Sequence, residues 1–385
     1  MGTSWSFVGV PGEGARPRKI AIAMRKEGSM PAIAQTMKAV VTHGTEDARI
    51  EQIPVPEYEP DNVLVKVAVC GICGTDDHLL AGKLRPMWPP YYPFVQGHEW
   101  GGTVVAIGGE ARTDLQVGDR VAMEPTVACA TCKMCIQGDY HLCENSDVPD
   151  SGYKLLGHTV DGAFSEYGAA PPKNLHRIPD SMGWEGAVVA NHAALAVHAF
   201  DQGRIEPADT VAVIGPGVLG LMVLQVAKAL GASKTFMAGR GYRLDIAREL
   251  GADVVIDVTK EDPAKVVMEE TGGRGVDLSC ECAGPVEAMQ QALAVVRRGG
   301  RVVLQGVSGG MEVPFTTDRI VLDEISIYGA RGCPNCYPRG IQLIADGHIR
   351  VDKLVTHSYP LDQFHEAMRM FRAREDGAVR VVLCP

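Results

Sequence analysis

The sequence predicts an α/β protein in two parts: an all-β, barrel-like unit followed by a doubly wound parallel sheet. Three observations carry that expectation. At 385 residues the chain is longer than one hydrophobic core usually serves. Its early part reads as short alternating strands broken by Gly and Pro. From about Thr210 the period changes to strand–helix repeats, opened by a glycine-rich turn.

Residues 1–35 show no sustained periodicity and are rich in Gly, Pro and basic side chains. They lack a clear apolar core followed by a small-residue cleavage site. They read as a loosely ordered extension or an upstream start, with Met30 an alternative start and the folded unit beginning near Met37. Residues 36–190 form the barrel-like unit, with strands in "DNVLVKVAVCGIC", "GGTVVAIGGEA" and "VGDRVAMEP". Residues 191–331 form the parallel-sheet unit. "TVAVIG" is a buried strand, and "VLGLMVLQVAKALG" is a helix closed by Gly231. Alternation continues through the strand "KTFMAG", the helix "YRLDIARELG", the strand "DVVIDV" and the helix "PAKVVMEETG". The strand "VDLSCECAG", the helix "PVEAMQQALAVVRRGG" and the strands "RVVLQGV" and "ISIYGAR" complete it. Residues 332–385 hold two short helices and a closing "VRVVLCP". That tail is too small for a core of its own and is expected to return to the first unit.

Composition narrows the function. The chain is 46% apolar and 22% charged, as in soluble globular proteins, and no apolar run is long enough to span a bilayer. A net charge of −10 argues against nucleic acid or an anionic membrane surface as partner. The eleven cysteines are an odd number with no secretion signal, which points to a reducing, cytoplasmic setting and metal-held thiolates rather than disulfides.

Three motifs carry chemistry. Gly215-Pro-Gly217-Val218-Leu219-Gly220 is a G-x-G-x-x-G that follows a strand and opens a helix. The first glycine permits the tight turn, the second lets a pyrophosphate approach the backbone, and the third lets helix and strand pack closely. The helix N-terminus then faces phosphate charge. NAD-binding sheets usually carry an acid at the end of the second strand; here Ala238 and Gly239 stand there and Arg240 follows. Small residues with an arginine suit a 2′-phosphate, so NADP(H) is favoured over NAD(H).

Cys129, Cys132, Cys135 and Cys143 lie within fifteen residues. Four thiolates close a tetrahedral site with no open position, which makes it structural. An iron–sulfur cluster is the competing reading. Elsewhere, Cys73, His98 and Glu99 offer the atom types of a catalytic zinc, which takes about three protein ligands and keeps one position open. Thr75 and His78 supply a hydroxyl and an imidazole beyond Cys73.

Taken in order, "GICGTDDH", "GHEWGGTVVAIG", "VGDRV", the four-cysteine lobe, "GPGVLG" and the closing "VRVVL" resemble the zinc-dependent medium-chain dehydrogenase/reductase family, on its alcohol, sorbitol and threonine dehydrogenase side. The resemblance runs from about Met37 to the end. It implies a GroES-like barrel as catalytic domain, a Rossmann domain, a cleft between them, and a homodimer or homotetramer. It implies two zinc ions per subunit, one catalytic and one structural. Cys73, His98 and Glu99 match catalytic ligands. Thr75 matches the hydroxyl beside the substrate oxygen, and His78 the outer end of a proton relay. Gly215, Gly217 and Gly220 match the pyrophosphate turn, Arg240 the 2′-phosphate arginine, and Arg380 a basic residue reaching the cofactor phosphates. One departure stands out: where relatives carry Cys, Glu or Asp before the Rossmann domain, Asn191 stands here, with His192 beside it. Either His192 substitutes as a ligand, or Glu99 completes the site, or zinc binding is weakened.

The resulting expectation is reversible oxidation of a small-molecule alcohol to an aldehyde or ketone. Trp88, Tyr91, Tyr92 and Phe94 are expected to line an apolar or aromatic substrate pocket, or else to cover the barrel edge. A zinc-independent carbonyl or enone reductase of the same fold is the alternative, and a non-catalytic nucleotide-binding protein a third reading. Cys333 and Cys336 in "CPNC" read as a redox pair or, better, a turn near the cofactor cleft.

Overall fold

The computed structural model describes residues 33–385 apart from 85–88, 90 and 149. Residues 1–32 of the expected extension, Met30 with them, and Trp88 lie outside the described residues.

Six strands rich in Val and Ile form one parallel sheet. Its order is Val254–Asp257, Lys234–Gly239, Thr210–Ile214, Val276–Glu281, Val296–Leu304, Ser326–Gly329. Helices flank it, so its central strands read as continuous apolar runs rather than alternating ones. Strand order reverses between Thr210–Ile214 and Val276–Glu281, which opens a crevice at their carboxyl ends. The glycine turn lies in that crevice, directly after Ile214. This is a Rossmann sheet. The sequence places "VVRRGG" in a helix; the helix instead stops at Ala294, and Val296–Leu304 is a strand paired with Val276–Glu281.

A second, mixed sheet runs Leu175–Arg177, Arg120–Met123, Trp100–Ile107, Val63–Gly71, Arg380–Cys384, Val355–Pro360. Tyr167–Ala170 also pairs with Val63–Gly71. A three-stranded sheet, Asp47–Pro54, Thr36–Gly44 and Phe94–Val95, completes the GroES-like part. Bulges bend the pairing of Val63–Gly71 with Trp100–Ile107. The C-terminal strand joins this sheet by setting Val382 against Gly71 and Leu383 against Cys70. Phe94, expected to line a pocket or cover the barrel edge, is 1% exposed in its strand, while Tyr91 and Tyr92 are half exposed.

The junction drawn at residues 190/191 falls inside one uninterrupted helix, Trp184–Gly203. Residues Gly186–Ala194 of it are buried on every side. A helix without an exposed polar stripe shows no amphipathic period, which is why the sequence pattern does not reveal it. Its alanines let the helix Tyr337–Ala345 lie close against it, and it packs on Val63–Gly71, Trp100–Ile107 and the helix Val218–Ala229 as well.

At the first of those contacts, a Cβ on Gly340 would lie 2.8 Å from the backbone nitrogen of Ala194. In a free helix Gly→Ala stabilises, by up to about 1 kcal/mol. Here Gly340→Ala is expected to destabilise by about 1–3 kcal/mol through overpacking. Urea unfolding checks this; unchanged or raised stability would show that the helices separate at no cost.

Candidate active site

The site starts at a helix N-terminus. Cys73 is the N-cap of the short helix Gly74–Leu80, and the carboxylate of Asp76, three residues on, accepts the Cys73 backbone N–H at 2.8 Å. Asp76 is fully buried. Its second oxygen faces His98 Nδ1 at 3.3 Å. One carboxylate thus orients both the thiol-bearing backbone and the imidazole, and with Nδ1 so engaged, Nε2 is left for a ligand.

His98 Nε2 points toward Glu99 Oε1, 3.9 Å away. The Cys73 Sγ, a ring nitrogen of His98 and a carboxylate oxygen of Glu99 all lie within 4.8 Å of one another. Thiolate, imidazole and carboxylate are the donor set of a catalytic zinc. The charge balance agrees. Burial pushes the Cys73 thiol up, but the adjoining His98 imidazole outweighs this and lowers it. Burial disfavours the His98 imidazolium, but Asp76 and Cys73 outweigh that and favour it. The pocket therefore selects for a positive charge between thiolate and carboxylates, which is what a divalent ion supplies.

Thr75 Oγ1 lies 3.9 Å from Cys73 Sγ, and His78, three residues further along the same helix, is exposed. The His158 ring packs 4.1 Å from that of His98, and burial followed by repulsion from His98 holds it neutral.

Three further residues surround Glu99. Arg380, expected to reach the cofactor phosphates, is buried beside it. It is 3% exposed, its guanidinium sits in the space left by the missing side chain of Gly71, it donates to the Ile72 carbonyl at 2.9 Å, and it pairs with Glu99 Oε2. His192 is not among the clustered donors; its Nδ1 lies 3.8 Å from Glu99 Oε1, and burial lowers its pKa to about 4. Asn191 makes the direct contact instead, donating from Nδ2 to Glu99 Oε1 at 3.0 Å. Its Oδ1 faces the Tyr337 hydroxyl at 3.3 Å and accepts from Cys333 Sγ at 3.6 Å, which sets the orientation of the amide. The "CPNC" segment is therefore a turn whose first cysteine backs this site.

In the four-cysteine lobe the sulfurs of Cys129 and Cys135 are 3.7 Å apart, and those of Cys132 and Cys143 are 3.9 Å apart. Sulfurs held by zinc at about 2.3 Å sit about 3.8 Å apart along a tetrahedron's edges, so the spacing fits that ion. Backbone N–H groups of Cys132 and Cys135 and the Asn145 amide donate to the sulfurs, each at 3.4 Å.

At the nucleotide end Gly215 has φ +107°, and a Cβ on Gly220 would lie 1.9 Å from the Gly215 carbonyl oxygen. Gly217 has open space around it, as a backbone meant to approach a pyrophosphate requires. A Cβ on Gly239 would lie 2.1 Å from Pro216 Cδ. Proline in the turn thus excludes a side chain at position 239. Arg240, just beyond, is exposed, whereas Arg243 is tied to the Ala378 carbonyl at 2.7 Å.

Residues 59–180 match the alcohol dehydrogenase GroES-like domain family, and residues 218–346 match the zinc-binding dehydrogenase family. The chain is 36% identical to a sorbitol dehydrogenase of Bacillus subtilis over 92% of its own length and 98% of that protein. Among solved structures it resembles a protein from Sinorhizobium meliloti 1021 bound to NADP, with TM-score 0.83, 31% identity and coverage of 91% and 100%. It resembles equally an alcohol dehydrogenase from E. coli CFT073 complexed with NADH, with TM-score 0.83, 29% identity and coverage of 91% and 100%.

Because Asp76 orders two donors at once, Asp76→Ala should lower zinc affinity at the Cys73–His98–Glu99 cluster by about 10–100-fold. Chelator competition on the purified protein measures it. An affinity within twofold of wild type would show that Asp76 orders nothing.

Proposed function

The chain belongs to the zinc-dependent medium-chain dehydrogenase/reductase family, and from that premise we propose that Cys73, His98 and Glu99 hold its catalytic zinc. The activity is that of a zinc-dependent alcohol dehydrogenase, the reversible transfer of hydride between an alcohol and a nicotinamide cofactor to give an aldehyde or ketone. The single observation behind the site assignment is the buried cluster of thiolate, imidazole and carboxylate donors that Asp76 organises.

When bound, zinc supplies Lewis acidity at the substrate oxygen and the nicotinamide carries the hydride. The chain's own groups do the rest. Thr75 takes the substrate hydroxyl proton and passes it outward toward His78, whose exposure lets it exchange with solvent. Asn191 stands in for the acid usual at its position, holding Glu99 as a neutral donor, so that Glu99 rather than His192 completes the ligand set. Gly215, Gly217 and Gly220 shape the pyrophosphate turn. The backbone of Val218 and Leu219, at the start of the helix Val218–Ala229, faces the phosphates.

Cys129, Cys132, Cys135 and Cys143 hold a second, structural zinc. The cofactor is NADP(H), supported by the acid-free end of the strand Lys234–Gly239, the Pro216 contact that keeps position 239 bare, and the exposed Arg240. The similarity to a sorbitol dehydrogenase supports a secondary hydroxyl of a small polyol as substrate. Among the described residues no helix is long and apolar enough to cross a membrane. The abundance of cysteine thiols supports a reducing, cytoplasmic setting, and the family supports a homodimer or homotetramer.

His98→Ala should remove the catalytic metal and nearly all turnover while NADPH binding survives. Metal analysis with fluorescence titration of cofactor checks both halves, and near-native activity with unchanged metal would restore the zinc-independent reductase reading. Arg240→Ala should weaken NADPH by about 1.5–3 kcal/mol, as hydrogen bonds to a charged group are lost, and leave NADH nearly unchanged. A wild-type kcat/KM that favours NAD would defeat the cofactor assignment.

A further inference from the structure

Among the described residues, three groups of side chains bring at least three Cys, His, Asp or Glu donors within 4.8 Å of one another. Two are the zinc clusters above. The third is His198, Asp201 and Cys336, and neither the proposed reaction nor the structural lobe uses it. We propose that it is a third metal site, for a borderline-soft divalent cation of the zinc class, which joins the helix Trp184–Gly203, the helix Tyr337–Ala345 and the four-cysteine lobe.

The placement follows from the helix geometry. His198 and Asp201 are three residues apart on the helix Trp184–Gly203, so they share a face. Cys336 is the N-cap of the helix Tyr337–Ala345, which packs along that face. His198 and Cys336 are buried; Asp201 is at the surface, where an ion can enter. The Cys336 thiol points at Asp201 Oδ2, 3.7 Å away, and a metal ion would take the place of the thiol proton.

A second imidazole stands behind the three. The His141 ring packs 5.1 Å from the His198 ring, edge to face. His141 is 7% exposed, and its Nδ1 is buried without a hydrogen-bond partner. His141 lies outside the three-donor group and backs the His198 ring. Arg339 already grips Asp201, with Nη1 on Oδ1 at 3.0 Å and Nη2 on Oδ2, and lies 3.4 Å from Cys336 Sγ. In the loaded site it stays as an outer partner of the ligating carboxylate, because a carboxylate oxygen has two lone pairs. One nitrogen-bearing, one sulfur-bearing and one oxygen donor, with a second imidazole in reserve, suit zinc or cobalt and not magnesium or calcium.

The site is independent of the dehydrogenase reading, and its test separates the two. The full-length protein, saturated with zinc and freed of excess, is analysed for zinc per subunit. Three ions are expected in wild type. Cys336→Ser and Asp201→Asn should each fall to two with unchanged turnover. Asp201→Asn alters a surface side chain, so it keeps the test valid if Cys336→Ser fails to fold. With cobalt in place of zinc, the thiolate-to-metal absorption should fall by one site's share in Cys336→Ser. A zinc content in both Cys336→Ser and Asp201→Asn equal to that of wild type would overturn the proposal, whatever the wild-type total. Loss of an ion in Cys132→Ser or His98→Ala bears only on the other two sites.

Discussion

A single buried carboxylate organises the active end of this molecule. Asp76 has no contact with water, so both of its oxygens must be satisfied inside the protein. One takes the N–H of the residue that carries the thiol, and the other takes the imidazole of a strand-end histidine. The helix start, the thiol direction and the imidazole tautomer are therefore set together. Everything around the cluster is arranged to tolerate that charge: the glycine at position 71 admits a guanidinium, which neutralises Glu99, and Asn191 offers that same carboxylate a neutral donor.

The arrangement is expensive in isolation. Asp76, Glu99, His98 and Arg380 are four ionisable groups removed from solvent within one pocket, and each carries a desolvation cost of several kcal/mol before pairing. Pairs of this kind seldom stabilise a fold more than apolar residues of equal volume would. Their presence at the junction of a barrel sheet and a buried helix is better understood as preparation for an ion than as a contribution to stability.

Much of this was readable in the residues, and the division between legible and hidden has physical causes. The glycine turn could be read because its three glycines answer local backbone demands, and the four-cysteine lobe because its ligands are neighbours in the chain. The alternation of strands and helices from Thr210 onward reflects periods that survive in sequence. Asp76 was hidden although it lies within a quoted motif: its role depends on an imidazole twenty-two positions away. The pairing of Arg380 with Glu99 is hidden for a similar reason. A basic residue on a terminal strand has many possible partners, and only strand pairing with Gly71 brings it to Glu99. The helix Trp184–Gly203 was missed because complete burial erases the amphipathic stripe. For Phe94 the sequence leaves pocket wall and barrel cover open, because aromatic clusters look alike in sequence whether they line a cavity or fill a core.

The contact between Pro216 and Gly239 has a consequence for how this chain can change over evolutionary time. A side chain at position 239 cannot appear while the proline ring occupies the same volume. The proline itself sits between Gly215, whose φ is +107°, and Gly217, the N-cap of the following helix. An acid at position 239 would therefore need a change at 216 as well. The turn and the second strand are coupled at that one point, and residues 216 and 239 are constrained to change together.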